Sequence, residues 1–122
     1  MKKSILIIAI LFSGIISAQS KYQTGMKKAF ALWEKGEMTE ASQLFERISK
    51  AEATNWLPAY YTATLEILGS FGLRDENTLN SKLTKAQEFL DVAKSNSENN
   101  PEIIITQALL NTAYIAFDGQ KY

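Results

Sequence analysis

Apolar residues recur every three or four positions through nearly the whole 122-residue chain, a period that suits helices and not strands. Leu79, Leu83, Ala86, Leu90 and Ala93 step by four, three, four and three, which predicts one long helix over 75–96 with a single apolar seam. Met26, Ala29, Phe30 and Trp33 share one face of a helix over 22–35. Ala41, Leu44, Phe45 and Ile48 share a face of a second, which begins near Thr39 and fades over 52–55. Tyr60, Ala63, Ile67 and Leu68 belong to a third over 58–70, and a run rich in Ile, Leu and Ala predicts a fifth helix over 101–117. No stretch alternates β-branched and polar residues for long, so strands are not expected.

Local punctuation agrees with this division. Gly36 stops the first helix, because glycine takes the left-handed C-terminal conformation without a Cβ penalty. The Thr39 hydroxyl is expected to cap the second helix. Pro58 is expected to open the third, since a proline in the first turn loses no hydrogen bond. Gly69 and Gly72 close it. Asp75 is a candidate N-cap for the fourth helix and Asn100 for the fifth. Pro101 then takes the first helical position, and Glu102 meets the positive end of the helix dipole.

The first twenty residues have a different character. Lys2 and Lys3 precede an apolar stretch of 14 residues, Ile5 to Ala18, broken only by Ser13, Gly14 and Ser17, and polar residues resume at Gln19. This is the layout of a secretory signal peptide over residues 1–18, with cleavage after Ala18. The stretch is short for a membrane span of about 20 residues. An uncleaved membrane anchor is the alternative. The Lys-Lys start and the Gln after the cut resemble exported proteins of Gram-negative bacteria. That resemblance implies a periplasmic or secreted location, with membrane contact only in transit.

Composition narrows the chemistry. Thirteen basic and 13 acidic residues cancel, and loss of Lys2 and Lys3 leaves 11 against 13. A chain without a basic field is not suited to nucleic acid. The absence of cysteine excludes disulfides, thiolate catalysis, Cys-based metal sites and the lipid-modified cysteine of a lipoprotein. The absence of histidine removes the usual acid–base group near neutral pH and the commonest metal ligand. The closest acidic pairs, Asp75–Glu76 and Glu37–Glu40, lie at helix starts where the dipole accounts for them. No other feature of a glycosidase accompanies them. Residues 68–72 lack the Lys-Ser/Thr of a phosphate loop, and 96–100 lack the acidic ligands of a calcium loop. Neither catalytic residues nor a metal or cofactor are expected.

Small residues carry the longer-range pattern. Ala29 and Ala63 are 34 residues apart, while Ala41–Ala86 and Ala63–Ala108 are each 45 apart. A 34-residue helix–turn–helix unit, repeated with an 11-residue insertion between the helices of its second copy, accounts for all three spacings. The long helix from Asp75 is the natural place for the insertion. A helical pair of this length resembles the tetratricopeptide repeat. In that family a small residue, a large apolar one, a second small one and an aromatic take set places, held here by Ala29, Leu32, Ala41 and Phe45. Gly36 falls at the turn and Ile48 follows. Small residues let the two helices approach while large ones fill the space beside them. Ala63, Ala86, Leu90 and Ala93 fit a second unit, and Ala108 is expected at the small position of a third. Gly25 and Lys28 depart from the family's large and aliphatic preferences, and Glu66 stands at a large apolar position. A plain helical bundle with coincidental alanine spacing is the alternative.

The resemblance covers residues 22–117 and implies an all-α, antiparallel helix-hairpin superhelical array of about two and a half repeats. Its units are 22–55, 56–100 and an incomplete 101–122. It further implies non-enzymatic protein–protein interaction, with a protein or peptide partner held in a concave groove. Gln23, Met26, Phe30, Trp33 and Glu34 would face that groove, and Met26, Phe30, Trp33 and Glu34 are the candidate contacts. Packing within the terminal helix is the competing role for Phe30 and Trp33. Trp56, Tyr60 and Tyr61 are expected to wedge between units, or else to line a small-molecule site. The last helix is apolar nearly all round, the character of a helix buried on every side. A continuation of the chain, a second copy in a homo-oligomer, or a partner is therefore expected against it. Ile104 and Leu109 are the candidate contacts for such a structural or adaptor role.

Overall fold

A computed structural model describes the backbone of residues 2–122 and the side chains of residues 18–122. Ala18 apart, the leader expected over residues 1–18 lies outside the residues whose side chains are described. The chain is all-α. Its helices are α1 (Lys2–Glu34), α2 (Met38–Ala51), α3 (Trp56–Ser70), α4 (Glu76–Asn96) and α5 (Pro101–Phe117), with no strand among the described residues. No helix among the described residues is long and apolar enough to cross a membrane.

The helix ends follow from local chemistry, with two departures from expectation. Gly36 has φ +81°; its N–H donates to the Trp33 carbonyl at 2.9 Å, and the Glu37 N–H donates to the Leu32 carbonyl at 3.0 Å. Those two bonds satisfy carbonyls that the end of α1 would leave free. The reversal is so tight that α2 resumes at Met38. Thr39 therefore lies inside the helix rather than capping it, and Glu37, at the cap position, makes no side-chain capping bond. The start of α3 also differs: Asn55 Oδ1 accepts from the Leu57 N–H at 3.1 Å, so the helix begins at Trp56. Pro58 sits two residues further in, still within the first turn where an N–H has no intrahelical partner. Asp75 and Asn100 cap α4 and α5 as their positions predict, accepting from Thr78 N–H at 2.8 Å and Glu102 N–H at 3.0 Å.

Each helix packs on the next, and α3 also packs on α5. The smaller core cluster joins α1, α2 and α3 through Met26, Ala29, Ala41, Phe45 and Leu65. The larger one joins α3, α4 and α5, with Ala59, Ala63 and Ile67 against the α4 seam and against Ile103, Leu110 and Ala113. Ala29, Ala41, Ala63, Ala86 and Ala93 are all fully buried, which is what small residues at close helix crossings require. The 21 residues of α4 exceed the 14 of α2, so most of the extra length of the second hairpin lies in that helix.

The expectation for α5 needs correction. Ile103, Thr106, Leu110 and Ala113 are buried, Leu109, Tyr114 and Phe117 are half-buried against the larger core, and Ala108 is exposed. An apolar run has no polar face to select its orientation. The choice is made by the surfaces of α3 and α4, and it places Ala113, not Ala108, among the larger core.

Candidate functional site

Aromatic side chains from three helices meet in one continuous row. Phe30 of α1 sets its ring edge against Tyr61 of α3, with centroids 4.8 Å apart, and against Phe45 of α2 at 5.1 Å. Phe45 and Tyr61 stack at 5.3 Å, and Trp33 meets Tyr61 at 6.3 Å. The row continues along α3 through Tyr60, 5.1 Å from Tyr61, to Trp56, 5.4 Å from Tyr60. It then reaches α5, because the Tyr60 hydroxyl donates to Glu102 Oε2 at 3.2 Å. Phe45 is fully buried beneath the row, whereas Phe30, Trp33, Trp56, Tyr60 and Tyr61 are all half-buried. Each edge-to-face pair adds about 0.5–1.5 kcal/mol beyond area burial, so the rings are held in place before any ligand arrives.

Helical spacing explains the convergence. Phe30 and Trp33 lie three residues apart on α1 and so share its face, while adjacent Tyr60 and Tyr61 diverge by one helical step. Tyr61 thereby turns toward α1, and Tyr60 toward Trp56 and α5. Among the candidate contacts, Phe30 and Trp33 both pack on the core and keep part of each ring in solvent. Met26 is 8 % exposed and belongs to the core, so it supports the row from inside rather than offering a face of its own. Gln23 and Glu34 are exposed. Trp56 and Tyr60 pack against the larger core cluster and Tyr61 against the smaller one. Burial is the main reason that the Tyr61 hydroxyl titrates above its ordinary value, with smaller contributions from Tyr60, Glu102 and Tyr22. It is a neutral hydroxyl at physiological pH.

A second polar constellation lies behind the row. Glu66, at the position where an apolar residue was expected, is only 8 % exposed. Its carboxylate accepts from Ser42 Oγ at 2.6 Å and lies 3.5 Å from Lys82 Nζ and 3.4 Å from Lys85 Nζ. Lys85 also reaches Glu46 at 2.7 Å, and Lys50 holds the other oxygen of Glu46 at 2.9 Å. The hydrogen bond from Lys85, then that from Lys50, holds Glu46 below the ordinary carboxylate range. Burial pulls Lys85 down, but the bond to Glu46 and the charge of Glu66 outweigh it, and the ammonium ends above its usual value. The group ties α2, α3 and α4 together. Ser42 is buried and its hydroxyl serves Glu66, so the cluster braces the three helices against one another. The misfit of Glu66 in the apolar pattern was the one trace of it in the sequence.

The remaining candidates separate. Asp75 spends its carboxylate on the Thr78 hydroxyl and N–H, which together lower its pKa. Glu76 pairs with Lys121 and accepts from the Tyr122 hydroxyl at 2.7 Å. Glu37 and Glu40 sit at the start of α2. Among the described residues no group of three or more His, Cys, Asp or Glu is placed to hold a metal ion. On α5, Ile104 is 61 % exposed, while Leu109 is half-buried and packs on the larger core. No family model matches the chain, and neither a curated protein nor a solved structure does.

Proposed function

We propose that this chain is an exported, non-enzymatic binding protein built as a tetratricopeptide-like array of helical hairpins, and that it holds a protein or peptide partner across the aromatic row. The observation that carries this is the row itself: five half-buried rings from α1 and α3, ending at a carboxylate on α5. Rigid aromatic groups with one face supported and one face open are what protein-binding hot spots use. Two features support the array. The fully buried alanines Ala29 and Ala63 recur at the repeat spacing, and α3 packs on α5 as well as on its neighbours in sequence. An experimental structure in which α1–α2 and α3–α4 superpose as like hairpins would add support, and unlike crossing angles would count against it.

Binding is tested by recovering partners of the full chain from envelope extracts of its host, in parallel with two variants. Trp33→Ala is expected to weaken capture by more than about tenfold, the loss typical of an anchoring aromatic. Ile104→Glu is expected to spare it. Capture that survives Trp33→Ala unchanged refutes a role for the row. The exposure of Ile104 and Ile105, 61 % and 64 %, favours one other role, in which the chain is an adaptor that assembles through α5. In that case Ile104→Glu abolishes assembly and Trp33→Ala leaves it intact.

A further inference from the structure

The two ends of the helix series carry unlike surfaces. On α5, Ile104, Ala108 and Ile115 lie four and seven residues apart and form one outward ridge, with Ile105 alongside. All four are exposed, and the ridge carries no charge along its length. Its beginning is acidic: Glu98 is exposed there, Glu102 is exposed beside it with its carboxylate turned to the Tyr60 hydroxyl, and Asp118 stands at the other end. The nearby cation, Lys121, is taken up by Glu76.

At the opposite end a groove of about 1160 Å³ runs between α1 and α2. Tyr22, Gly25, Leu44, Ile48 and Ala51 supply its apolar lining. At its floor Gly25 lets α2 come close, since a Cβ there would stand only 3.1 Å from Ile48 Cδ1. Lys21, Lys28 and Arg47 stand on the rim with Glu52 as the one acidic residue lining it. None of these three cations forms an ion pair among the described residues, although Lys50, Lys82, Lys85 and Lys121 all do.

We infer that copies of this chain stack head to tail, with the α5 ridge of one copy seated in the α1–α2 groove of the next. This rests on α5 being an interface, and it names the occupant. An apolar ridge with acids at its ends complements an apolar groove edged with bases. The chain cannot satisfy itself, because α1 and α5 lie at opposite ends of the packing order. A two-fold pairing of α5 with α5 is disfavoured by charge. Run parallel, it brings the two Glu98 ends together; run antiparallel, it brings Glu98 toward Asp118. The head-to-tail contact joins two different patches, so each added copy presents a fresh ridge and a fresh groove, and assembly is open-ended unless it closes into a ring.

Sedimentation velocity of the full chain, as its host processes it, tests this between ~10 µM and ~0.5 mM, the range suited to a small interface. The weight-average mass is expected to climb past that of a dimer. Ile104→Glu with Ile105→Glu breaks the ridge, and Lys28→Glu with Arg47→Glu reverses the rim. Each double variant is expected to stay monomeric with unchanged circular dichroism. Mixed in equal amounts they retain one intact ridge and one intact groove between them, and are expected to form a heterodimer and nothing larger. Should the ridge variant lose helix content, Glu98→Lys with Glu102→Lys replaces it; mixed with the rim variant, it is expected to restore full assembly by charge swap. A wild-type chain that stays monomeric throughout overturns the inference. So does a rim variant that associates like wild type, which indicates α5–α5 pairing, or a mixture of folded variants that stays monomeric. If Ile104→Glu abolishes capture of a different protein while the wild type is monomeric, α5 remains an interface but its occupant is not a second copy.

Discussion

Glu66 and Ser42 offer the sharpest test of how the helices are held together. Replacing Ser42 with Ala removes a 2.6 Å hydrogen bond to a carboxylate that keeps two lysines nearby, so the cost falls at the lower end for charged bonds, about 1.5 kcal/mol. Replacing Glu66 with Leu leaves the buried Ser42 hydroxyl without its acceptor, at about 1–3 kcal/mol. The lysines lose less. Each keeps 31 % of its side chain exposed and can rehydrate, and Lys85 retains Glu46. Leucine also buries added apolar surface, which offsets about 1–2 kcal/mol. The double variant Ser42→Ala/Glu66→Leu removes donor and acceptor together and is expected within about 1 kcal/mol of wild type, because an apolar pair often replaces a buried polar one at little cost. The two single losses therefore do not add, and the shortfall is a coupling of about 1–2 kcal/mol. Urea unfolding of all four proteins measures it, provided the slope m is common to them. Additive losses would refute the account of Glu66 as a brace.

Three further outcomes are expected. Glu46 titrates below its ordinary 4.5 when folded, so its contribution is fully present above that value and is lost as pH falls through the lower folded pKa; thermal melts in acid should show this sag, and Lys85→Met should flatten it. The effect is small, since such partly exposed pairs contribute about 1 kcal/mol or less. Ala86→Leu forces three extra carbons into a fully buried contact of α4, which is expected to cost about 1–3 kcal/mol by chemical denaturation, whereas the same change at exposed Ala108 should leave stability within about 0.5 kcal/mol. Gly72 holds φ at +83° with open space about it, so Gly72→Ala is expected to lower the melting point by backbone strain alone, at about 1 kcal/mol, and an unchanged melt would contradict that.

Local information was easiest to read where one helix turn contains its own reason. Asp75 and Asn100 reach backbone N–H groups two or three residues ahead, and Gly36 reverses the chain through its own φ. The bounds of α4 and α5 followed closely from such signals. Thr39 and Pro58 misled because each competed with a neighbour. Gly36 set the restart of α2, and Asn55 supplied a cap two residues before the expected one. The aromatic row was half legible. The sequence marked Phe30, Trp33, Trp56, Tyr60 and Tyr61 as notable, but only the packing of α3 against α1 and α5 joined them.

The sequence by itself determined the all-helical content, most helix ends and the buried alanines at 29, 41, 63, 86 and 93. Period, caps and residue size act within a few residues, or through a spacing that survives folding. Tertiary structure decided three things that no local pattern contains. It chose the inward face of α5, because an apolar helix offers no polar side to exclude. It turned Glu66 from a misfit into the centre of a brace, because its partners come from residues 16 to 24 positions away. And it drew Met26 into the core while leaving Phe30 and Trp33 at the boundary with solvent, because burial depends on which neighbouring helix covers each stripe of α1.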